Sequence, residues 1–256
     1  MARELVSAVI ITQNEAARIG ACLDCLDFAD EILIVDAGST DGTLAIAEGR
    51  GIRVIHHDWA GFGPQKRFAV EQAAHDWVLC VDADERVTDA LRASIEDVLA
   101  APQAMVCRIA RRNRFMGRWL RHGEGYPDHV IRLFHRGHAE WSDDPVHETV
   151  LTDDPVITLV GDLLHESETG VCDYAAKQVR YARLQGDRLR AAGARSSWPR
   201  ALLSPITRFI KFYLIRLGFL DGLPGLAHIL LGCFASFLKH LDLLAGRRRT
   251  GSADKG

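Results

Sequence analysis

The chain has 256 residues, 48% hydrophobic and 25% charged, with a formal net charge of −3. This is ordinary globular composition with ample material for a core. The charge is divided: residues 195–256 carry ten Lys or Arg against three Asp, while the first 194 carry 21 basic and 31 acidic residues. So acidic a body, with no nucleic-acid-binding motif, speaks against a nucleic-acid partner, whereas a basic and apolar tail points to a polyanionic surface.

Met1-Ala2-Arg3-Glu4 leads straight into a strand-like segment with no signal-peptide pattern, so a cytoplasmic body is expected. Leu5 to Thr12 is β-branched and apolar, the signature of a buried parallel strand, and Gln13-Asn14-Glu15 opens a helix through about Leu26. Cys22-Leu23-Asp24-Cys25 falls within that helix; no second pair at zinc spacing accompanies it, and the six scattered cysteines read as buried free thiols. Glu31 to Asp36 is a second strand, ending in Asp36-Ala37-Gly38-Ser39-Thr40-Asp41-Gly42-Thr43, a run of turn and capping residues before a helix from Thr43 to Gly49. Arg53 to His56 is a third strand, Gly61 to Pro64 a loop, and Gln65 to Ala74 a helix.

The fourth strand, Val78 to Asp82, ends in three carboxylates within four residues, Asp82, Asp84 and Glu85. Four strand-helix repeats over some 85 residues specify a doubly wound α/β sheet, whose ligands sit at the carboxyl ends of strands. Thr12, Asp36 and Asp82 occupy such ends. Two residues apart, Asp82 and Asp84 can meet on one hard divalent cation, Mg²⁺ or Mn²⁺, that shares a substrate diphosphate. The plainer reading is an acidic turn capping a helix from about Thr88. There is no G-x-G-x-x-G or Walker lysine, which argues against a dinucleotide or ATP cradle.

Four blocks in this order, Ile11-Thr12-Gln13-Asn14-Glu15, Val35 to Thr43, Gly63-Pro64-Gln65-Lys66-Arg67 and Asp82-Ala83-Asp84, resemble family 2 of the inverting glycosyltransferases over roughly residues 5 to 150. Tyr126-Pro127-Asp128, Ile131-Arg132-Leu133-Phe134 and Val146-His147-Glu148 are similar to the subgroup that builds the core of bacterial lipopolysaccharide, with the nearest likeness to β-1,4-glucosyltransferases acting on inner-core heptose. The resemblance implies a GT-A fold, Rossmann-like with a mostly parallel sheet, over residues 1–165; by its own pattern the rest of the chain reads as a helical membrane-associating region over 166–246 and a basic disordered tail over 247–256. It implies a UDP-sugar donor, probed by Thr12, Asn14, Glu15, Asp36 and Ser39 at the ribose and base, by Lys66 at the phosphates and by Asp82. Asp82 and Asp84 would hold the metal. The residues themselves allow a simpler use, with Asp36 and Ser39 holding a turn and Lys66 and Arg67 on a solvated helix face.

An inverting transfer needs one general base to take the acceptor hydroxyl proton. Asp128, Asp143, Asp144 and Glu148 are candidates, with Glu148 and Asp128 preferred; His147 is a supporting or metal-facing residue, or a structural histidine. Six arginines between Arg108 and Arg121 form a basic stretch suited to a phosphorylated acceptor, or simply to a strand pair facing water.

Beyond Leu151 the pattern changes. Tyr174 to Ala192 is a long polar helix with Tyr174, Val179, Tyr181 and Leu184 along one face. Ala201 to Leu220 is apolar with Arg208, Lys211 and Arg216 interspersed, an interfacial signature. Gly222 to Leu238 has no fully charged residue for 17 positions, at the short edge of the ~17 to 25 needed to span a bilayer. A helical hairpin dipping into the inner leaflet is therefore expected, peripheral or monotopic at the cytoplasmic face; a core helix pair or a homodimer interface is the alternative. Arg247-Arg248-Arg249 suits anionic head groups. The function that the resemblance implies, together with such a tail, is metal-dependent inverting transfer of glucose from UDP-glucose to a lipid-linked acceptor of the lipopolysaccharide inner core. The rivals are a polyprenyl-phosphate glycosyltransferase, a non-catalytic membrane scaffold of the same fold, and a nucleotidyltransferase, which would need a Gly-rich basic loop that is absent.

Overall fold

The structure, a computed structural model, describes residues 3–144, 148–166 and 170–251, the last six of these for their backbone only. It divides into two compact units: Met1–Arg112 with Asp128–Glu166, and Asn113–Pro127 with Ser167–Gly256.

In the first unit the chain runs β1 (Val6–Thr12), α1 (Ile19–Asp24), β2 (Glu31–Asp36), α2 (Thr43–Glu48), β3 (Arg53–His56), α3 (Phe62–Glu71), β4 (Trp77–Asp82), β5 (Glu85–Val87) and α4 (Asp89–Ala100). It continues through β6 (Val106–Phe115), whose end enters the second unit with β7 (Arg118–Trp119), and returns as β8 (Asp128–His135), β9 (Glu140–Trp141), β10 (Val150–Leu151) and β11 (Val156–His165). The main sheet has the order β3-β2-β1-β4-β8-β6-β11-β5. β3, β2, β1 and β4 are parallel, and β8, β6 and β5 join by antiparallel pairing. Only two residues separate β4 from β5, yet β5 lies beyond β11, so this half of the sheet curls back on its own beginning.

Alternation along β1 explains the two cores. Val6, Ala8 and Ile10 face a cluster containing Ile19, Leu91, Ile95 and Leu163 on the α1/α4 side, and Val9 faces one containing Ala69, Val70, Phe134 and Trp141 on the α3 side. Each fully buried Ile or Leu contributes roughly 1.5–3 kcal/mol. Gly161 is what lets α4 approach β11: its φ is +98°, and a Cβ there would stand 2.2 Å from Leu91 N.

Strands β2 and β3 and the start of α4 match their sequence readings, and two helices differ for local reasons. α1 begins at Ile19, not near Gln13, because Asn14 takes a left-handed conformation (φ 58°) and the amides of Asn14, Glu15 and Ala16 bond to the side chains of Ser39, Thr43 and Asp41. α3 begins at Phe62, taking in residues read as loop, since Pro64 stands in the first turn where no N–H is needed. Thr88 caps α4 with its own hydroxyl, so the acidic turn is not a helix cap. All six cysteines are free, Cys172 exposed and Cys25 half-buried.

The second unit comprises α5 (Val171–Ala191), α6 (Trp198–Phe209), a π-helical turn (Ile210–Ile215), a 3-10 turn (Gly218–Asp221) and α7 (Gly222–Gly251), with the hairpin of residues 113–127. α7 passes through Arg247–Arg249, where the sequence reading begins a tail; residues 252–256 lie outside the described ones. On α5 the buried residues are the small Ala182 and Gly186, while Val179, expected on the packing face, is 44% exposed. α6 runs antiparallel to α7: Ser196 meets His240, Ser204 meets Ser236, and Arg208 meets the Gly232 turn.

Within this unit His228 Nε2 lies 2.7 Å from the Tyr174 hydroxyl, and its buried Nδ1 has no partner among the described residues. Burial, helped by Arg208, pushes the imidazole pKa down to about 4. The unfolded chain therefore binds a proton that the folded chain refuses, so stability present above the unfolded pKa of about 6.5 is lost as pH falls through about 4. Urea unfolding at about pH 7.5 and about pH 5 should show it, as a loss of about 2 kcal/mol that His228→Gln reduces. An unchanged slope in the variant would remove His228 from the account.

Candidate active site

Parallel pairing puts Thr12 directly beside Asp36. The Thr12 hydroxyl donates to Asp36 Oδ2 at 2.9 Å, the Ser39 hydroxyl to the same oxygen at 2.5 Å, and the Gly38 and Ser39 amides to Oδ1 at 2.8 Å each. Asp36 is 2% exposed, and those four bonds use its acceptor capacity. Burial would raise its pKa, but the bonds from Ser39, Thr12 and Gly38 outweigh that and hold it low. Asn14 completes the stitching: its Oδ1 accepts from Thr40 N and its amide donates to Ser39 Oγ, each at 2.8 Å. Thr12, Asn14, Glu15, Asp36 and Ser39 are thus gathered at two adjacent strand ends, with Asp36 turned to its own loop. Glu15 is raised in pKa, chiefly by burial, with Arg18 at 2.7 Å opposing.

The second half of the site is a chain of alternating charges. Glu148 Oε1 lies 3.0 Å from Lys66 Nζ, and Lys66 Nζ lies 3.0 Å from Asp82 Oδ1. Asp82 Oδ2 then meets Arg132 at 2.5 Å, Arg132 meets Glu85 at 2.8 Å, Glu85 meets Arg111 at 3.4 Å and Arg111 meets Asp128 at 2.7 Å. Glu85, Lys66 and Arg132 are essentially buried, at 0%, 4% and 3% exposure. The desolvation each charge suffers is offset by an opposite charge on either side. Asp82 shows it: burial would raise its pKa, but Arg132 and Lys66 drive it far below the carboxylate range. Trp141 floors the group, its ring 4.8 Å from Lys66 Nζ and its indole N–H donating to Cys80 Sγ.

Both preferred bases, Glu148 and Asp128, belong to this chain, at its opposite ends. Arg132, Glu85 and Arg111 join the site as links of this chain; the sequence reading had Glu85 only within the acidic cluster, Arg111 only within the arginine stretch and Arg132 only within a resembling block. The signal for Arg132 was a charge inside the apolar strand Ile131-Arg132-Leu133-Phe134. Lys66, read as a phosphate contact or as part of a solvated helix face, is held between two carboxylates and is 4% exposed, which rules out the solvated face. Asp143 pairs with Arg67 at 2.9 Å, away from the chain. His147 lies outside the described residues. Gly63 sets the approach of α3 to the segment before Glu148: a Cβ there would be 2.2 Å from Ser142 O and 2.6 Å from Asp144 O.

The arginine stretch does not act as one patch. Arg108 bonds Thr158, Arg111 and Arg112 pair with Asp128 and Asp162, and Arg114 and Arg118 belong to the second unit.

As for a cation, Asp82 and Asp84 take different partners. Asp82 has both oxygens on Lys66 and Arg132, while Asp84 Oδ2 lies 3.3 Å from His165 Nε2. β5 pairs with β11 so that His165 is opposite Glu85, which brings the imidazole to the acidic turn. Among the described residues no group of three or more His, Cys, Asp or Glu stands at metal-ligand spacing. The Asp84–His165 pair nonetheless fits a divalent ion that keeps water and substrate oxygens in its shell, and the nitrogen ligand inclines it toward Mn²⁺ rather than Mg²⁺.

Comparison with known proteins bears on this geometry. The model of glycosyl transferase family 2 matches residues 7–151, a span that holds both strand-end loops, the acidic turn and Glu148. The lipopolysaccharide core biosynthesis glycosyltransferase LpsC of Rhizobium meliloti (strain 1021) is 33% identical over 247 residues, covering 91% of this chain and 89% of the relative. An uncharacterized glycosyltransferase of Rickettsia felis is 31% identical over 253 residues, 92% of this chain and 88% of its own length. The fold is shared with S. aureus TarS 1-349 in complex with UDP-GlcNAc, at a TM-score of 0.50 and 15% identity, over 96% of this chain and 92% of that one. The curled mixed sheet is therefore a GT-A sheet, the protein is a glycosyltransferase, and the chain belongs to glycosyl transferase family 2.

Proposed function

We propose that this enzyme transfers glucose from UDP-glucose, with inversion, to a lipid-linked oligosaccharide of the lipopolysaccharide inner core, at the cytoplasmic face of the inner membrane. The observation that carries the reading is the shared ammonium of Lys66, which ties a strand-end carboxylate suited to the donor side, Asp82, to a carboxylate suited to the acceptor side, Glu148. The acceptor class is supported by the likeness to LpsC.

In this reading the loops holding Thr12, Asn14, Glu15, Asp36 and Ser39 bind the uridine. Lys66 turns toward the donor diphosphate and leaves Glu148 to accept the acceptor hydroxyl proton. That oxygen attacks the anomeric carbon as the bond to the diphosphate breaks on the opposite face. Asp84 and His165 would hold a divalent cation, which when bound neutralises charge developing on the leaving diphosphate. Arg132 and Glu85 keep Asp82 fixed throughout.

UDP with Mn²⁺ should raise the melting temperature by several degrees, since a ligand of the native state alone stabilises it. Release of UDP from a panel of UDP-sugars should then be fastest for UDP-glucose and should stop with a chelator. His165→Ala should raise the Mn²⁺ concentration needed for half-maximal rate by about tenfold or more. No thermal shift from UDP, with a shift from another nucleoside diphosphate, would overturn the donor assignment.

A further inference from the structure

We propose that the tip of the α6–α7 hairpin, with the 113–127 hairpin clamped to it, is the face by which this protein seats on an anionic lipid bilayer, lying in the interface rather than crossing it. This deepens the membrane placement in the proposed function and rests on that placement, not on the donor or the chemistry.

Exposed apolar surface is concentrated there. Of 22 exposed large hydrophobic side chains among the described residues, 13 lie between Trp198 and Phe234. Trp198, Leu202, Ile206, Ile210 and Leu214 follow one another at four-residue spacing, a continuous ridge along one helical face. At the tip Ile215 is 72% and Leu223 67% exposed. A contiguous apolar surface of this kind marks an interaction site rather than ordinary solvent contact.

Charge selects the partner. No Asp or Glu occurs between Asp187 and Asp221, a segment that carries seven Lys or Arg. The two carboxylates of this end point inward. Asp221, 1% exposed, accepts from the amides of Arg121 and His122 at 2.9 and 2.8 Å, and Glu124 pairs with Arg208. Lys211, Arg216, Arg118 and Arg121 are left exposed beside the apolar side chains. Basic groups flanking an apolar strip are what an anionic interface attracts, whereas a second copy of the same basic face would be repelled.

The tip is also built to hold its shape. Gly123 N donates to Arg216 O at 2.9 Å, and Arg118 donates to Leu220 O at 3.0 Å, so the two hairpins present one surface.

α7 does not serve as a span in this arrangement. Gly218–Ala245 has the length and hydropathy to cross a bilayer, but α5 lies along it, through Tyr174 on His228 and Arg190 on Asp242. Crossing would carry Arg180, Arg183, Arg188 and Arg190 of α5 into hydrocarbon, which is costly for each charge.

The test is co-sedimentation of the full chain with vesicles of phosphatidylcholine, alone or with about one-third phosphatidylglycerol. Binding should require the anionic lipid and weaken with salt. Ile215→Glu with Leu223→Glu should lower the affinity at least about tenfold, and Lys211→Gln with Arg216→Gln roughly tenfold. Both double variants should keep the wild-type thermal unfolding transition, because the four side chains are exposed. Failure of the wild type to sediment with anionic vesicles would overturn the proposal. So would undiminished binding by the Ile215/Leu223 variant, or light scattering that shows a dimer broken by that variant without vesicle binding. Vesicle binding is read without any sugar donor, so failure of the donor assignment would be seen separately, in UDP release.

Discussion

Arg132→Met should lower the unfolding free energy by about 3–5 kcal/mol, which for a chain of this size is a fall in melting temperature of roughly 10 °C. The side chain is 3% exposed and its guanidinium joins Asp82 at 2.5 Å to Glu85 at 2.8 Å. Methionine fills nearly the same space, so cavity formation is a minor contribution. What remains is Glu85, with no exposure at all, whose one remaining cation is Arg111 at 3.4 Å and whose Oε2 accepts from the Asp82 amide at 3.0 Å, while Asp82 keeps Lys66. An uncompensated buried carboxylate is the dominant loss, larger than any attraction the pair contributes beyond an apolar substitute. Glu85→Gln with Arg132→Met should therefore be more stable than Arg132→Met alone, with a coupling of about 1–3 kcal/mol in the double-mutant cycle. Chemical denaturation of the four proteins measures this directly; additive losses would mean that the two residues do not compensate each other.

For catalysis the largest effect should come from Glu148→Gln. Loss of a general base lowers kcat by about 10²–10⁴, and the amide retains the size of the side chain and can still accept from Lys66 Nζ. KM for the donor should move by only a few fold, since the strand-end loops around Asp36 are untouched. Asp128→Asn should cost less than about tenfold, because Asp128 is held by two nitrogens of Arg111 at 3.0 and 2.7 Å and meets the rest of the site only through it. Steady-state kinetics with donor and acceptor, under the same metal concentration, separates the two. The reverse ranking would transfer the base to Asp128.

The first four strands are legible in the sequence because each is a short apolar run closed by polar residues. The acids at their ends stand out for the same reason. Helix starts are harder to read, since α1 is delayed by three amides that bond side chains some 25 residues away. Strand β11 escapes notice because Gly161-Asp162 interrupts its apolar pattern, and the glycine is there to let α4 approach. His165 escapes with it: nothing in its neighbours along the chain places it at the acidic turn, which follows only from its pairing opposite Glu85. Lys66 and Arg132 are legible as charges in structured segments, but their alternation with Asp82, Glu85 and Glu148 joins positions up to 82 residues apart, beyond any local spacing rule.

Asp82 closes β4 and Glu85 opens β5, and the two strands meet again around β8, β6 and β11. The acidic turn is thus a clasp on a nearly closed ring of strands. A loop of two residues has no slack, so an inserted or deleted residue would have to be absorbed as a register slip in β5 and would turn His165 away from Asp84. Variation among relatives in sugar or acceptor preference should accordingly spare the clasp.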